Sequence, residues 1–232
     1  YVIDLPGCGF SDKSTIDYSI YMYALAVNDF VKNRILRHHD TATGMHAAAI
    51  STSSAILICA ALTAPKLYSG LSFINPQAME TTYCNPSTKP VFAKCIRAVY
   101  NTPVIGSFMY NLKYNRAAIM DRLSKVSGLE VAQKNERADS MYEAAHTGGY
   151  YGRFLLASIH GNLLNSDIAR MLSKLSTPIL IVTGSADRQA KKALPAFDID
   201  KENISSVILE DISAPQLECP DKLARILNSF FN

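Results

Sequence analysis

Thr177-Pro178-Ile179-Leu180-Ile181-Val182-Thr183-Gly184-Ser185-Ala186-Asp187-Arg188 is the stretch whose reading decides the fold. Residues 179–183 are apolar or β-branched at every position, so both faces of a strand here are covered. Such a run belongs in the middle of a parallel sheet. Gly184 ends it, and a carboxylate follows at Asp187. Similar short runs occur at residues 1–5, 40–43, 71–75 and 207–209. Helical patterns separate them. Ile20, Ala24, Val27, Val31 and Ile35 recur at helical spacing, with Asp17 or Ser19 before them as cap. Residues 47–62 are apolar nearly all round and read as a central buried helix. Pro220 suits a first helical position, and Leu223, Ile226, Leu227 and Phe230 give the last helix one apolar face.

Strands alternating with helices predict an α/β fold, a mostly parallel sheet covered by helices. The alternation is interrupted between Pro76 and Ser176, where no strand is predicted. Pro90 and Pro103 each open a helical pattern, and Ile105, Phe108, Met109 and Leu112 form a stripe. The expected organisation is a core of residues 1–76 and 176–232, with residues 77–175 inserted as a helical lid. Residue 1 is Tyr and stands inside a strand-like run. Further strands are therefore expected upstream of it.

The chain has 232 residues, 48 % apolar and 19 % charged, which excludes a disordered chain or a collagen-like repeat. Lys and Arg number 23 against 20 Asp and Glu, a net charge of +3. That balance, with no basic run, gives no reason to expect nucleic acid or an acidic membrane as partner. The five cysteines make no Cys-x-x-Cys pair, so neither zinc nor a disulfide framework is indicated, and a cytoplasmic setting is the expectation. His38-His39-Asp40 points adjacent histidines to opposite faces of an extended chain, unsuited to one metal. Gly7-x-Gly9 lacks the third glycine of a dinucleotide fingerprint. No cofactor is expected.

Three segments carry a resemblance. Asp4-Leu5-Pro6-Gly7-Cys8-Gly9-Phe10-Ser11-Asp12 is similar to D-x-P-G-x-G-x-S-D. Residues 178–187 are similar to P-x-L-x-x-x-G-x-x-D. Ile212-Ser213-Ala214-Pro215-Gln216-Leu217-Glu218-Cys219-Pro220 is similar to G-H-x-P-x-x-E-x-P. In this order they resemble the α/β-hydrolase superfamily, over essentially the whole chain. The resemblance implies descent from small-molecule hydrolases of ester or amide type, with a nucleophile, an acid and a histidine in that chain order. The acid position falls on Asp187 and the histidine position on Ser213. Residues 42–48, Ala-Thr-Gly-Met-His-Ala-Ala, put the nucleophile position on Gly44, or on Met45 if the register slips by one. Neither has a nucleophilic oxygen or thiol.

Two of three triad members are then absent. Loss of the serine or the histidine from such a triad costs on the order of 10⁶ in kcat. The expectation is a pseudoenzyme or a very weak hydrolase that binds a small apolar ligand under the lid. Met45, His46 and His146 are the pocket candidates. The rival expectations are an active hydrolase using Asp187 and His46, or a structural, partner-binding module.

Overall fold

The computed structural model describes residues 1–38, 44–77, 90–126, 128–197 and 201–232. The chain forms two compact units, Tyr1–Ser19 with Glu80–Asn165, and Ile20–Met79 with Ser166–Asn232.

The second unit holds the sheet. Helix α1 (Ile20–Phe30), extended by a wider turn at Val31–Ile35, precedes strand β1 (Met45–Ile50). Helix α2 (Ser53–Thr63) leads to strand β2 (Tyr68–Ile74). The first unit contributes helices α3 (Pro90–Asn101), α4 (Pro103–Tyr114), α5 (Arg116–Ser124), α6 (Val131–His146) and α7 (Arg153–His160). The chain then returns through α8 (Ile168–Leu172), strand β3 (Ile179–Gly184), α9 (Arg188–Phe197), strand β4 (Ile204–Leu209), the single turn α10 (Pro215–Glu218) and α11 (Pro220–Phe231).

The four strands are parallel throughout, in the order β1-β2-β3-β4. All six residues of β3 are buried, as its two-faced apolar pattern requires. Ile74, Leu180, Val182 and Leu209 present one face of the sheet to Leu223, Ile226, Leu227 and Phe230 of α11. The helical spacing of those four residues is what lets one helix cover the sheet there.

Two features differ from the sequence reading. Residues 1–5 are not a strand, because no described strand runs beside them to complete a hydrogen-bond ladder. They open a turn in which the Asp4 carboxylate accepts the Phe10 N–H at 3.0 Å and the Asp4 carbonyl accepts the Ser11 hydroxyl. Gly9 has φ +50°, and a Cβ there would lie 2.2 Å from the Asp4 carboxyl, so the glycine of this turn is obligatory. The second difference is larger. Residues 47–62 are not one helix: the first part is β1 and only the rest is α2. Ala47, Ala48 and Ala49 have helical preference, but they pair in register with Leu71, Ser72 and Phe73 of β2. Tertiary pairing overrides the local preference. The strand expected at residues 40–43 lies outside the described residues.

A buried polar junction joins α1, α2 and β2. The Asn28 amide donates to the Ala60 carbonyl (3.0 Å) and to Thr63 Oγ1 (2.9 Å), and the Tyr68 hydroxyl donates to Asn28 Oδ1 at 2.6 Å. Burial pushes the Tyr68 hydroxyl far above its ordinary pKa, so it remains a donor. Asn28→Ala leaves the buried Tyr68 hydroxyl without its acceptor, while the Ala60 carbonyl keeps the Ala64 N–H, and should cost about 1–3 kcal/mol, read from the urea unfolding midpoint.

In the first unit, Tyr100, Tyr110, Leu156 and Ala157 form the core between α3, α4 and α7. His160, at the end of α7, is buried and stacked on Tyr100 at 4.9 Å. Burial, with the charge of Lys113 adding to it, lowers its pKa to about 4. An unfolded histidine titrates near 6.5, so only the unfolded chain takes up this proton between the two values. Stability should therefore be full above about pH 6.5 and decline toward pH 4, by on the order of 3 kcal/mol from this group. Equilibrium unfolding of His160→Phe, compared with the parent at pH 7 and pH 4, should lack that increment of acid sensitivity.

Candidate functional site

The parallel strands bring four loops to one edge of the sheet, at the C-terminal ends of β1, β2, β3 and β4. The first loop is a sharp turn between β1 and α2. Its turning residue is Ser51, at φ +58°, a left-handed conformation rare for a residue with a side chain. The Ser51 N–H donates to the Ile74 carbonyl at 2.9 Å, continuing the β1–β2 ladder one step beyond the strand. Its carbonyl accepts the Ser54 N–H (3.2 Å) and the Gln77 N–H (3.3 Å). Helix α2 begins two residues later, so its positive N-terminal end faces this turn.

The second loop starts at Asn75, also left-handed at φ +43° and 4 % exposed. Its N–H donates to the Val182 carbonyl at 2.8 Å. Its side-chain amide donates to Asp187 Oδ2 (3.2 Å) and to the Ser213 carbonyl (2.7 Å), while its Oδ1 accepts the Gly184 N–H at 2.7 Å. One side chain thus ties the end of β2 to the loops after β3 and β4.

The third loop carries Asp187. Its Oδ1 accepts the N–H groups of Gln189 (2.8 Å) and Ala190 (3.1 Å) and caps α9. Its Oδ2 accepts the Asn75 amide and, at 3.4 Å, the Gln77 amide. The fourth loop carries Ser213. Both its N–H and its hydroxyl donate to Glu218 Oε1, which also accepts the Ala214 N–H at 2.8 Å. This loop lies directly on β3, for a Cβ at Gly184 would sit 2.3 Å from the Ile212 carbonyl oxygen. The glycine of P-x-L-x-x-x-G-x-x-D is a point of close backbone approach.

Against this geometry the nucleophile position read from the sequence is corrected. Gly44 precedes β1 and Met45 is its first residue, so both lie at the N-terminal end of the strand rather than after it. The strand-to-helix turn is at Ser51. Ala49-Ile50-Ser51-Thr52-Ser53 is a small-x-Ser-x-small pattern in which Ala and Ser stand where glycines are expected, and this is why a search for Gly-x-Ser-x-Gly passes over it. His46 is corrected with them. It is exposed, stacks on Phe231 at 4.4 Å, and lies five residues before Ser51. At about 3.3 Å per residue it is roughly 16 Å from the turn, at the opposite end of the sheet from Asp187. A joint mechanism for His46 and Asp187 is excluded by that separation. His146 belongs to the other unit, where its Nδ1 is 2.8 Å from the Tyr142 carbonyl oxygen and its ring packs on Tyr142 at 4.2 Å. Asn75, absent from the sequence reading, is the residue that organises the edge. Among the described residues no three His, Cys, Asp or Glu side chains converge as metal ligands would. No described helix is long and apolar enough to cross a membrane.

No protein-family model matches the sequence, and no curated protein matches it. Solved structures do. An N-acyl homoserine lactone degrading enzyme superposes with a TM-score of 0.62 at 17 % identity, covering 99 % of this chain and 81 % of that one. The epoxide hydrolase CorEH gives 0.69 at 14 % identity, over 98 % and 80 %. A 2-hydroxy-6-oxo-6-phenylhexa-2,4-dienoate hydrolase from Rhodococcus gives 0.67 at 14 % identity, over 98 % and 78 %. The chain has the α/β-hydrolase fold. In an α/β-hydrolase fold the strand-to-helix turn, the loop after a later strand and the loop after the last strand all meet at one sheet edge. Here those three places hold Ser51, Asp187 and Ser213.

The Asn75 clamp can be tested directly. Asn75→Ala removes the side-chain partner of the Gly184 N–H and of the Ser213 carbonyl and one of the two amides on Asp187 Oδ2, and should cost about 2–4 kcal/mol in urea unfolding. Asn75→Gly loses the same bonds but suits the left-handed backbone, so it should be about 1 kcal/mol less damaging than the alanine.

Proposed function

We propose that this protein is an α/β-hydrolase relative that keeps a serine at the nucleophile turn but no longer activates it, and that it binds small acyl compounds far better than it hydrolyses them. The observation that carries this reading is the pair Ser51 and Ser213. A serine hydroxyl attacks a carbonyl only when a neighbouring base takes its proton. At the place where this fold supplies that base, the chain offers a second hydroxyl, and that hydroxyl donates to Glu218.

Asp187 is the acid of the triad in this reading, left without the imidazole it would orient. A site of this kind retains the helix N-terminus behind the serine and the substrate contacts, which by themselves give about 10³–10⁴ over water. The ligand class is suggested by the fold relatives, which are named for lactone, epoxide and dienoate chemistry: small organic molecules that carry oxygen groups. Such a molecule would sit beyond the carboxyl ends of the strands, beside Ser51.

A fluorophosphonate probe, which reports an activated serine, should leave the protein unlabelled. Residual turnover of a short-chain p-nitrophenyl ester should change by no more than a few-fold in Ser51→Ala and in Asp187→Ala. A loss of 10³ or more in either, or stoichiometric labelling at Ser51, would sink the reading. A panel of small esters and lactones should contain members that raise the melting temperature, since a ligand at 100 times its Kd stabilises by about 2.7 kcal/mol.

A further inference from the structure

We infer that Gln77, together with Asn75, has taken over the carboxylate oxygen that a triad base would need, so that the site is disabled at Asp187 as well as at Ser213. This rests on the proposed reading of Ser51, Asp187 and Ser213 as the three triad positions.

The argument is one of hydrogen-bonding capacity. A carboxylate has two oxygens and about four acceptor sites. All four on Asp187 are in use. Gln189 and Ala190 take Oδ1, and Asn75 and Gln77 take Oδ2. A histidine on the loop after β4 would need one of those sites for its ring N–H. Without it, nothing fixes the tautomer or stabilises the imidazolium, a loss on the order of 10⁴ in kcat where it has been measured in other triads. Restoring histidine at position 213 therefore restores a side chain but no triad.

The two amides are not equivalent. Asn75 is buried and also holds the Gly184 N–H and the Ser213 carbonyl, so it is part of the framework. Gln77 is half-buried, and its side chain makes the longest of the four contacts, 3.4 Å. Its backbone N–H, which bonds the Ser51 carbonyl, does not depend on the side chain. Gln77 is thus the removable member of the pair and acts as a positioning residue, through its hold on Asp187. With its amide gone, one acceptor site on Oδ2 is free for an imidazole. The introduced imidazole would take the Ser51 Oγ proton as Oγ bonds to the ester carbonyl carbon. It would then return that proton to the departing alkoxide as the ester C–O bond breaks. Water, deprotonated by the same ring, would release the acid.

The experiment compares four proteins: the parent, Ser213→His, Gln77→Ala, and the double variant Ser213→His/Gln77→Ala. Short-chain p-nitrophenyl ester hydrolysis and fluorophosphonate labelling are measured on each, with Ser51→Ala added to the double variant as control. Expected are a gain below tenfold for either single variant and at least 10² beyond Ser213→His for the double. The double variant's rate should rise with pH through the imidazole range near 6.5, and Ser51→Ala should abolish it. A merely structural effect of Gln77 would give no such profile. Gln77→Ser in place of Gln77→Ala repeats the test with a residue that keeps a polar side chain, and far-UV circular dichroism confirms folding of each protein. Ser213→His alone matching the double variant would overturn the inference, as would folded double variants, with Ala and with Ser, no faster than the single. Labelling of the parent at Ser51 would instead overturn the proposed function beneath it.

Discussion

Asn75 is a small amide on which much of this sheet edge depends. Three strands end level with one another because backbone bonds continue past each of them, Ser51 to Ile74, Asn75 to Val182 and Ser185 to Leu209. Loops leaving such an edge would diverge without a tie between them. The Asn75 side chain supplies the tie: itself buried, it accepts from Gly184 and donates to the half-buried Asp187 and Ser213. A buried amide left without partners costs its desolvation penalty, so Asn75 holds the loops in one arrangement. The cap of α9, the seat of Ser213 and the orientation of Asp187 follow from it.

The parts of the fold that depend on periodicity were legible in the sequence. β3 is apolar on both faces and lies in the interior of the described sheet, and α11 shows its stripe at Leu223, Ile226, Leu227 and Phe230. Pro90, Pro103 and Pro220 each open a helix where proline's fixed φ favours one. β1 was hidden for the opposite reason. Its residues, Met-His-Ala-Ala-Ala-Ile, carry neither alternation nor β-branching until the last, and they run without a break into a helix of similar composition. Only the pairing with Leu71, Ser72 and Phe73 makes them a strand, and that pairing is long-range.

The same blurred boundary displaced the expected strand-to-helix turn. Once β1 and α2 were joined into one helix, the strand-to-helix turn had to be sought upstream, at Gly44, and Ser51 became an interior helical residue. Asp187 and Ser213 were located by short-range signals instead: Asp187 follows a strand and glycine, and Ser213 precedes Pro215, Glu218 and Pro220. Asn75 and Gln77 carry no signal of their own, since asparagine after a strand is ordinary turn chemistry. Their importance lies in three-dimensional partners more than 100 positions away in sequence.

Gly184 has one more consequence. With room for no side chain between β3 and the Ile212 carbonyl, the loop after β4 is pressed against the sheet whatever residue it displays at 213. The backbone there behaves as a fixed mounting point, indifferent to the fitting attached. A lineage could exchange the side chain at such a point, losing or regaining a chemistry, while its scaffold stayed unaltered. Change of chemistry and retention of architecture are separable events on such a mount.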